Sequence, residues 1–439
     1  MSETVMPPVL LRRHVLAAVM GNALEFYDFL TYAFFSVQIG HAFFPNSGAY
    51  GSLMLSLALF MAGFATRPLG ALILGNLADR RGRRPAMMIS YLLMGSAILL
   101  MALIPPYSVI GMAAPIVAVA ARMAQGFSLG GEVGSNSAFL AEAAAPSQRA
   151  LMISWQGASQ QIAGVMGSLV GVGLASLLAP ALFDAWGWRI AFLLGGATLP
   201  LGVWLRRGLP ETLHAPDQMA ATAPAPSSEA RLRTAARYAA LLALGVVIIA
   251  GGSIGTYVLT YIPTYAQNTL HMRAVSGLWS EVAIYGVSFG ACLFGGWLSD
   301  RIGRRPVMIW TNLAFLLLIW PMFAWVSAVR SPVILIVAPT ILAVCSSLPA
   351  GAIYAMIAEG LPKSIRGAGF ALVYSTAVAI AGGSTQFVIT WLIHATGSPL
   401  APAWYLIGAT ALAQVAIAFV PETAPCRAPA VRGLAPVPA

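Results

Sequence analysis

Charge is what this chain has least of. Of its 439 residues only 9% are Asp, Glu, Lys or Arg, against 59% hydrophobic. Soluble domains carry about 25% charged residues. A globule of this length could not cover its surface with so few, which excludes a soluble enzyme or a soluble DNA-binding protein. Cysteine is almost absent too: Cys292, Cys345 and Cys426 form no CxxC and share no metal spacing with histidine. Neither a disulfide framework nor a zinc site is expected. There is no Walker loop, no GxSxG, no HExxH and no paired-carboxylate constellation, so no ATP engine, hydrolytic centre, cofactor or metal is implied. No small-residue cleavage site follows the first apolar segment, which therefore reads as a retained span and not as a signal peptide.

Long apolar runs take the place of charge. A membrane-crossing helix needs ~20 mostly apolar residues. Runs of that kind lie near 16–40, 52–76, 87–106, 109–140, 151–178 and 188–206, and again near 238–266, 278–298, 306–328, 332–357, 366–393 and 401–420. The expectation is an all-α membrane protein with 12 transmembrane helices. Between the two sets lies the Ala/Pro/Ser-rich text HAPDQMAATAPAPSSEA. It has too little to bury and reads as a flexible linker.

Basic residues supply a test of orientation. With both termini inside, Arg12, Arg13, the 80–84 and 301–305 clusters, Arg149, Arg206, Arg207 and most of the remainder fall on the inner side. Only Arg189, Arg273 and Arg330 fall outside, and Arg67 and Arg122 fall within spans. That bias is the positive-inside rule, and it makes both termini cytoplasmic. It also accounts for the net charge of +10 without any nucleic-acid partner.

The two halves repeat. GNLADRRGRRP at 75–85 returns as GWLSDRIGRRP at 296–306; Glu142 with Pro146 and Arg149 returns as Glu359 with Pro362 and Arg366; Pro210-Glu211-Thr212 returns as Pro421-Glu422-Thr423. Three markers in the same order, each after the corresponding span, indicate two six-helix bundles as parallel repeats. The expected division is 1–206, a cytoplasmic linker at 207–237, and 238–439.

The repeated loop resembles the signature loop of the major facilitator superfamily. In that family it forms an inside gate, so the resemblance implies gating roles for Gly75, Asp79, Arg80, Gly82, Arg83 and Arg84, and for Asp300, Arg301, Gly303, Arg304 and Arg305. GNALEFYDFLTYAFF at 21–35, GFATRPLGALILG at 63–75, ARMAQGFSLGGEVG at 121–134 and WGWRIAFLLG at 186–195 are similar to the metabolite:proton symporters within it. SWQGASQQ at 154–161 is similar to the citrate and tricarballylate carriers of that group.

Ionisable residues inside a bilayer need a reason, since even the mildest scale costs an Arg or Asp ~2.5–3.5 kcal/mol mid-span. Five lie in the first half: Glu25, Asp28, Arg67, Arg122 and Glu132, while Glu281 lies near the outer end of its span. At 1.5 Å per residue, Asp28 is ~18 Å from the inner start of span 1, and Arg122 is ~20 Å from the outer end of span 4. Both approach the midplane, which suggests a central Asp28–Arg122 pair and a Glu25–Arg67 pair closer to the cytoplasm. Asn22, Glu25, Asp28 and Tyr32 share one helical face, and so do Arg122, Gln125 and Glu132. Gln156 and Gln160, at i and i+4, share a face of span 5. Tyr257, Tyr261 and Tyr265 repeat along span 7. Tyr354 on span 10, with Tyr374 and Gln386 on span 11, completes the set. The resemblance implies that spans 1, 4, 7 and 10 line the cavity.

The expected function is a proton-coupled symporter for a small organic acid, foremost a tricarboxylate such as citrate or tricarballylate. Asp28, Glu25 and Glu132 are the expected proton-coupling carboxylates. Arg122, Gln125, Gln156, Gln160, Tyr32, Tyr257, Tyr261 and Tyr354 are the expected substrate contacts, and Arg67 belongs to an intramembrane ion pair. A dicarboxylate, monocarboxylate or zwitterionic osmolyte symporter is the alternative, and a non-transporting sensor is the alternative of another class. The partners implied are a carboxylate substrate, protons and the lipid bilayer. The protein is expected as a monomer, multi-pass in a bacterial-type inner membrane.

Overall fold

The computed structural model describes residues 12–81, 83–142, 144–200, 202–203, 228–361 and 366–427. Of residues 12–18, 76, 78–81, 83–84, 86–87, 131–135, 138–139, 142, 146, 228–237 and 366–368 it describes the backbone only. Among the described residues there is no strand. The long helices in chain order are α1 (Arg12–Phe34), α2 (Ser36–Phe43), α3 (Gly48–Ala65), α4 (Arg67–Arg81), α5 (Arg83–Leu103), α6 (Ala113–Glu142), α7 (Arg149–Leu177) and α8 (Trp188–Ala197). After them come α9 (Ser228–Leu259), α10 (Ile262–Asn268), α11 (Ala274–Ile302), α12 (Arg304–Val329), α13 (Pro332–Ser347), α14 (Ala350–Gly360), α15 (Arg366–Ala377), α16 (Gly383–Thr396) and α17 (Ala401–Phe419).

Helix is the only open-ended structure that satisfies every backbone group within an apolar segment. Eight stretches among the described residues are long and apolar enough to cross a membrane, including Pro45–Gly75, Arg149–Leu177 and Ala274–Ile302. Several expected spans are two helices end to end, and proline explains most of the breaks. Pro68 follows the break between α3 and α4 at Thr66. Pro263 opens α10, and Pro349 separates α13 from α14. Without an amide hydrogen, none of these prolines can donate the helical hydrogen bond to the carbonyl one turn back. Five residues in π-helical geometry, Val378–Gly382, join α15 to α16. Most of the linker expected at 207–237 lies outside the described residues, which resume with α9 at Ser228.

Glycine sets how closely helices cross. A Cβ on Gly126 or Gly130 of α6 would overlap the carbonyl oxygen of Gly63 or of Arg67, and one on Gly70 would overlap that of Phe127. The texts GFATRPLG and AQGFSLGG therefore meet backbone to backbone, which is how small residues let membrane helices approach. Thr66 Oγ1 donates to the Met123 carbonyl at 2.7 Å across the same crossing. The most extensive helix pair is α7 with α11, one helix from each half of the sequence. Gly164 and Gly171 of α7 receive Tyr285 and Leu278 of α11.

Candidate transport site

The second copy of the repeated loop ties the two halves together. Asp300, in the last turn of α11, accepts the backbone amides of Ala150 and Leu151 at 3.1 and 2.9 Å. These are first-turn amides of α7, which have no partner within their own helix. The carboxylate also meets the positive end of that helix dipole. Arg304 holds Asp300 at 2.6 Å and Glu359 at 3.0 Å, and Arg149 of α7 reaches Glu359 at 3.5 Å. Glu422 caps α12 by accepting the amides of Arg304 and Arg305 at 2.9 and 3.0 Å. Gly303 turns between the helices at φ +105°, a conformation only glycine adopts without strain, and a Cβ there would press on Glu422. Arg301 lies over the Trp297 ring at 4.1 Å, and Arg305 donates to the Ala418 carbonyl at 2.6 Å. In the first copy Gly75 has open space around it. Gly82 and the side chains of Asp79, Arg80, Arg83 and Arg84 lie outside the described residues.

The opposite end is joined as well. Tyr50 of α3 stacks on His394 of α16 at 3.8 Å, and Gln38 of α2 donates to Gln267 of α10 at 3.3 Å. A cavity of about 100 Å³ is lined from both halves. Ligand pockets commonly measure ~300–1,000 Å³, so the central space is small in this conformation, with contacts between the halves at each end.

Of the expected substrate contacts, Gln160, Tyr257 and Tyr354 line that cavity. Among the described residues the Gln160 Nε2 makes no hydrogen bond within 3.5 Å. Tyr374, a further candidate from span 11, lines it too, and so do five polar residues not among the expected contacts: Gln161, Ser253, Thr256, Tyr285 and Ser346. Tyr285 is held by Thr260 at 2.8 Å. Its ring fills the space left by Gly164 of α7, a pairing that no spacing within the sequence gives. Gln156 sits elsewhere. It donates to Asn22 Oδ1 at 3.1 Å and accepts a short hydrogen bond from Asn136, while Asn22 also donates to Ser159 at 2.6 Å. Its polar groups are spent joining α1, α6 and α7. Tyr261 accepts from Thr390 at 2.7 Å, away from the cavity. Gln386 is buried with neither amide atom partnered.

Beside the cavity stand two buried arginines. The Arg122 guanidinium lies over the rings of Tyr32, Phe29 and Phe60 at 4.4, 4.8 and 5.1 Å. Its Nη1 donates to Gln125 at 2.7 Å, while among the described residues Nε and Nη2 have no partner. Arg67 lies over Phe64 and over the same Phe29 ring at 4.2 and 4.4 Å, with its Nε and Nη2 also unpartnered. Tyr32 is held by the Ser56 carbonyl at 2.9 Å, which fixes the platform. Tyr257 packs edge-on against Phe64 at 5.3 Å, so one tyrosine links the arginine cluster to the cavity wall.

The expected Asp28–Arg122 contact is absent here: among the described residues no ion pair within 4.0 Å joins them. Asp28 instead faces α8, where a Cβ on Gly195 would overlap its Oδ1, and that oxygen has no hydrogen-bond partner. Glycine at 195 is what gives the carboxylate room. Glu25 is buried one turn earlier on α1. Glu132 is in α6, and its side chain lies outside the described residues.

A helical carrier with a small central cavity lined from both halves, charged residues sunk in its first half and a cross-half polar latch defines a class of membrane transporter. Residues 18–295 and 282–435 match the Major Facilitator Superfamily, and the chain belongs to that family. It is 36% identical to the citrate-proton symporter of Salmonella typhi, over 92% of this chain and 93% of that one. It is 35% identical to the citrate-proton symporter of Klebsiella pneumoniae, over 89% and 88%. The proline/betaine transporter of Escherichia coli K12 is 32% identical, over 94% and 84%. Among solved structures, the xylose transporter XylE from E. coli in a partially occluded inward-open conformation superposes with a TM-score of 0.73. That match covers 94% of this chain and 98% of the other at 16% identity, which is a likeness of fold.

Proposed function

We propose that this protein is a proton-coupled symporter that takes up a small tricarboxylate such as citrate across an inner membrane. In this reading it has twelve spans in two six-helix halves, with the Asp300 latch on the cytoplasmic side. The observation that carries the reading is the pair of buried guanidiniums sharing the Phe29 ring, with four donor nitrogens between them unpartnered. Buried cationic donors left open are costly in a protein without a partner, and carboxylate oxygens match a guanidinium fork. Two such forks suit a ligand with more than one carboxylate. Gln160 and Tyr257 would orient it from the cavity wall.

Asp28 would carry a proton. Its separation from Arg122 in the closed conformation fits a protonated carboxyl, which leaves Arg122 free to engage the anion. When ionised it would compete for the same arginine, and that competition couples the two fluxes. Glu25 and Glu132 remain candidates for further protons. Halves that rock about this site, alternately breaking the Asp300 latch and the Tyr50–His394 contact, would expose it to each side in turn.

The 32% identity to a proline/betaine transporter favours a second reading, a zwitterionic osmolyte as substrate. The separating experiment is uptake of labelled citrate by purified protein in proteoliposomes, acidic outside. Unlabelled tricarballylate, α-ketoglutarate, acetate, proline and betaine serve as competitors. Accumulation blocked by the tricarboxylates supports the proposal. Block by proline or betaine alone moves the substrate to the osmolytes. No accumulation of any of them, with binding retained, would leave a sensor.

A further inference from the structure

The second half also contains a carboxylate deep in its packing. Glu281 of α11 is fully buried, and among the described residues neither carboxylate oxygen has a hydrogen-bond partner. An ionised carboxylate in such a place is strongly disfavoured, whereas a neutral carboxyl group can be housed there. No cationic side chain is placed to pay that cost, as the elements packed against α11 make plain. α7 carries one charged residue, Arg149, and α14 carries Glu359 with Tyr354; α12 begins with Arg304 and Arg305, and α13 offers only Cys345. Arg149, Glu359 and Arg304 are engaged with one another at the Asp300 end, which is ~28 Å along α11 from Glu281. α10 presents Tyr265, whose hydroxyl is engaged with Pro399 and Ser327, and Thr264, which is buried with its hydroxyl unpartnered. On α11 itself the nearest titratable group is Tyr285, one turn away. Arg273, at the N-cap, is ~12 Å along the helix. Among the described residues no Arg, Lys or His nitrogen lies within 4.0 Å of Glu281, and no three His, Cys, Asp or Glu side chains cluster to hold a metal.

Position makes this carboxyl responsive. Leu278 and Tyr285 seat against Gly171 and Gly164 of α7, forming the seam between the halves. Glu281 stands three residues after the first and four before the second, within one turn of both. It lies in the third of α11 nearest the Tyr50–His394 end. Parting the seam at that end would bring water to it. We propose that Glu281 is a second proton-binding site of the transporter, loaded when the seam opens at the end away from the Asp300 latch. The step is a single proton transfer: water-borne H⁺ joins one carboxylate oxygen on opening, stays there while the seam is shut, and returns to water on the other stroke. This deepens the symport reading and rests on it, since it adds a proton to the coupling stoichiometry.

Glu281→Gln preserves size and neutral polarity, so it mimics the permanently protonated state. In proteoliposomes the variant is expected to take up citrate with one proton fewer translocated per substrate, read from external alkalinisation per labelled molecule during net uptake. An unchanged proton ratio and an unchanged external-pH profile would overturn the proposal. pH-difference infrared spectroscopy gives a second readout that needs no transport. Wild-type protein should show a protonated carboxyl band at neutral pH that Glu281→Gln loses. If that variant does not fold, Glu281→Asp should move the band, and a band indifferent to position 281 refutes the assignment. Wild-type protein that keeps this band yet fails to transport any organic acid would sink the symport reading and leave the proton site standing.

Discussion

Replacing Asp300 by Asn should unlatch one end of the molecule. The carboxylate spans the halves through two amide hydrogen bonds, to Ala150 and Leu151 at 3.1 and 2.9 Å. Asparagine keeps one accepting oxygen and loses both the second bond and the charge at the α7 N-terminus. A charge at a partly buried helix terminus contributes up to ~2 kcal/mol, and a hydrogen bond to a charged group ~1.5–3 kcal/mol. With one bond retained, the net loss is about 2 kcal/mol. At 1.4 kcal/mol per tenfold, that shifts the closed-to-open ratio about 30-fold. The Asp300–Arg304 pair does not enter this sum, because both residues belong to the same half and stay together on opening. Spin labels at Ser147 and Ile302, both exposed and on opposite sides of the latch, read the ratio as a distance distribution in a cysteine-free background. A longer-distance population should grow in Asp300→Asn. Glu422→Gln, which weakens only the cap of α12 within its own half, should lower stability without moving the distances. Equal distributions in wild type and Asp300→Asn, or an equal shift in both variants, would refute the argument.

Other consequences are simpler to read. Gly126→Ala places a methyl group on the Gly63 carbonyl and should cost ~1–3 kcal/mol, seen as a lower melting temperature in detergent. Gly173→Ala, with nothing within 4 Å, should leave melting unchanged. Gln160→Leu removes an unpartnered donor from the cavity wall and should raise KM for the substrate about fivefold, the value of ~1 kcal/mol for one hydrogen bond. Gln156→Leu should instead lower thermal stability, since it breaks the Asn22–Gln156–Asn136 network.

The placement of Arg122 was legible in the sequence because an arginine mid-span is too expensive to be accidental. The crossing of α4 and α6 was not legible, because the glycines that tolerate a carbonyl at Cβ distance do not name the helix they meet. Nor was the partner of Asp28. Depth along two helices brought it level with Arg122, but the direction of the carboxylate depends on the space left by Gly195, a residue more than 160 positions away. Gln156 and Gln160 share a face and read alike, yet Asn22 and Asn136 engage the first and leave the second to the cavity. Glu281 was set aside for lying near a helix end. Depth in one dimension does not reveal lateral burial, which comes from the α7–α11 seam. Similarly, the breaks at Pro68, Pro263 and Pro349 follow from proline chemistry, whereas the break at Phe35 has no local signal of its own.

The central claim is that Asp28 and Arg122 couple proton to anion by competing for one contact, and Asp28→Asn tests it most directly. With a permanently neutral side chain at 28, Arg122 stays free for substrate, so citrate counterflow between preloaded proteoliposomes should persist. Accumulation driven by an imposed pH gradient should disappear. Gradient-driven accumulation that survives at the wild-type level in Asp28→Asn would contradict the account.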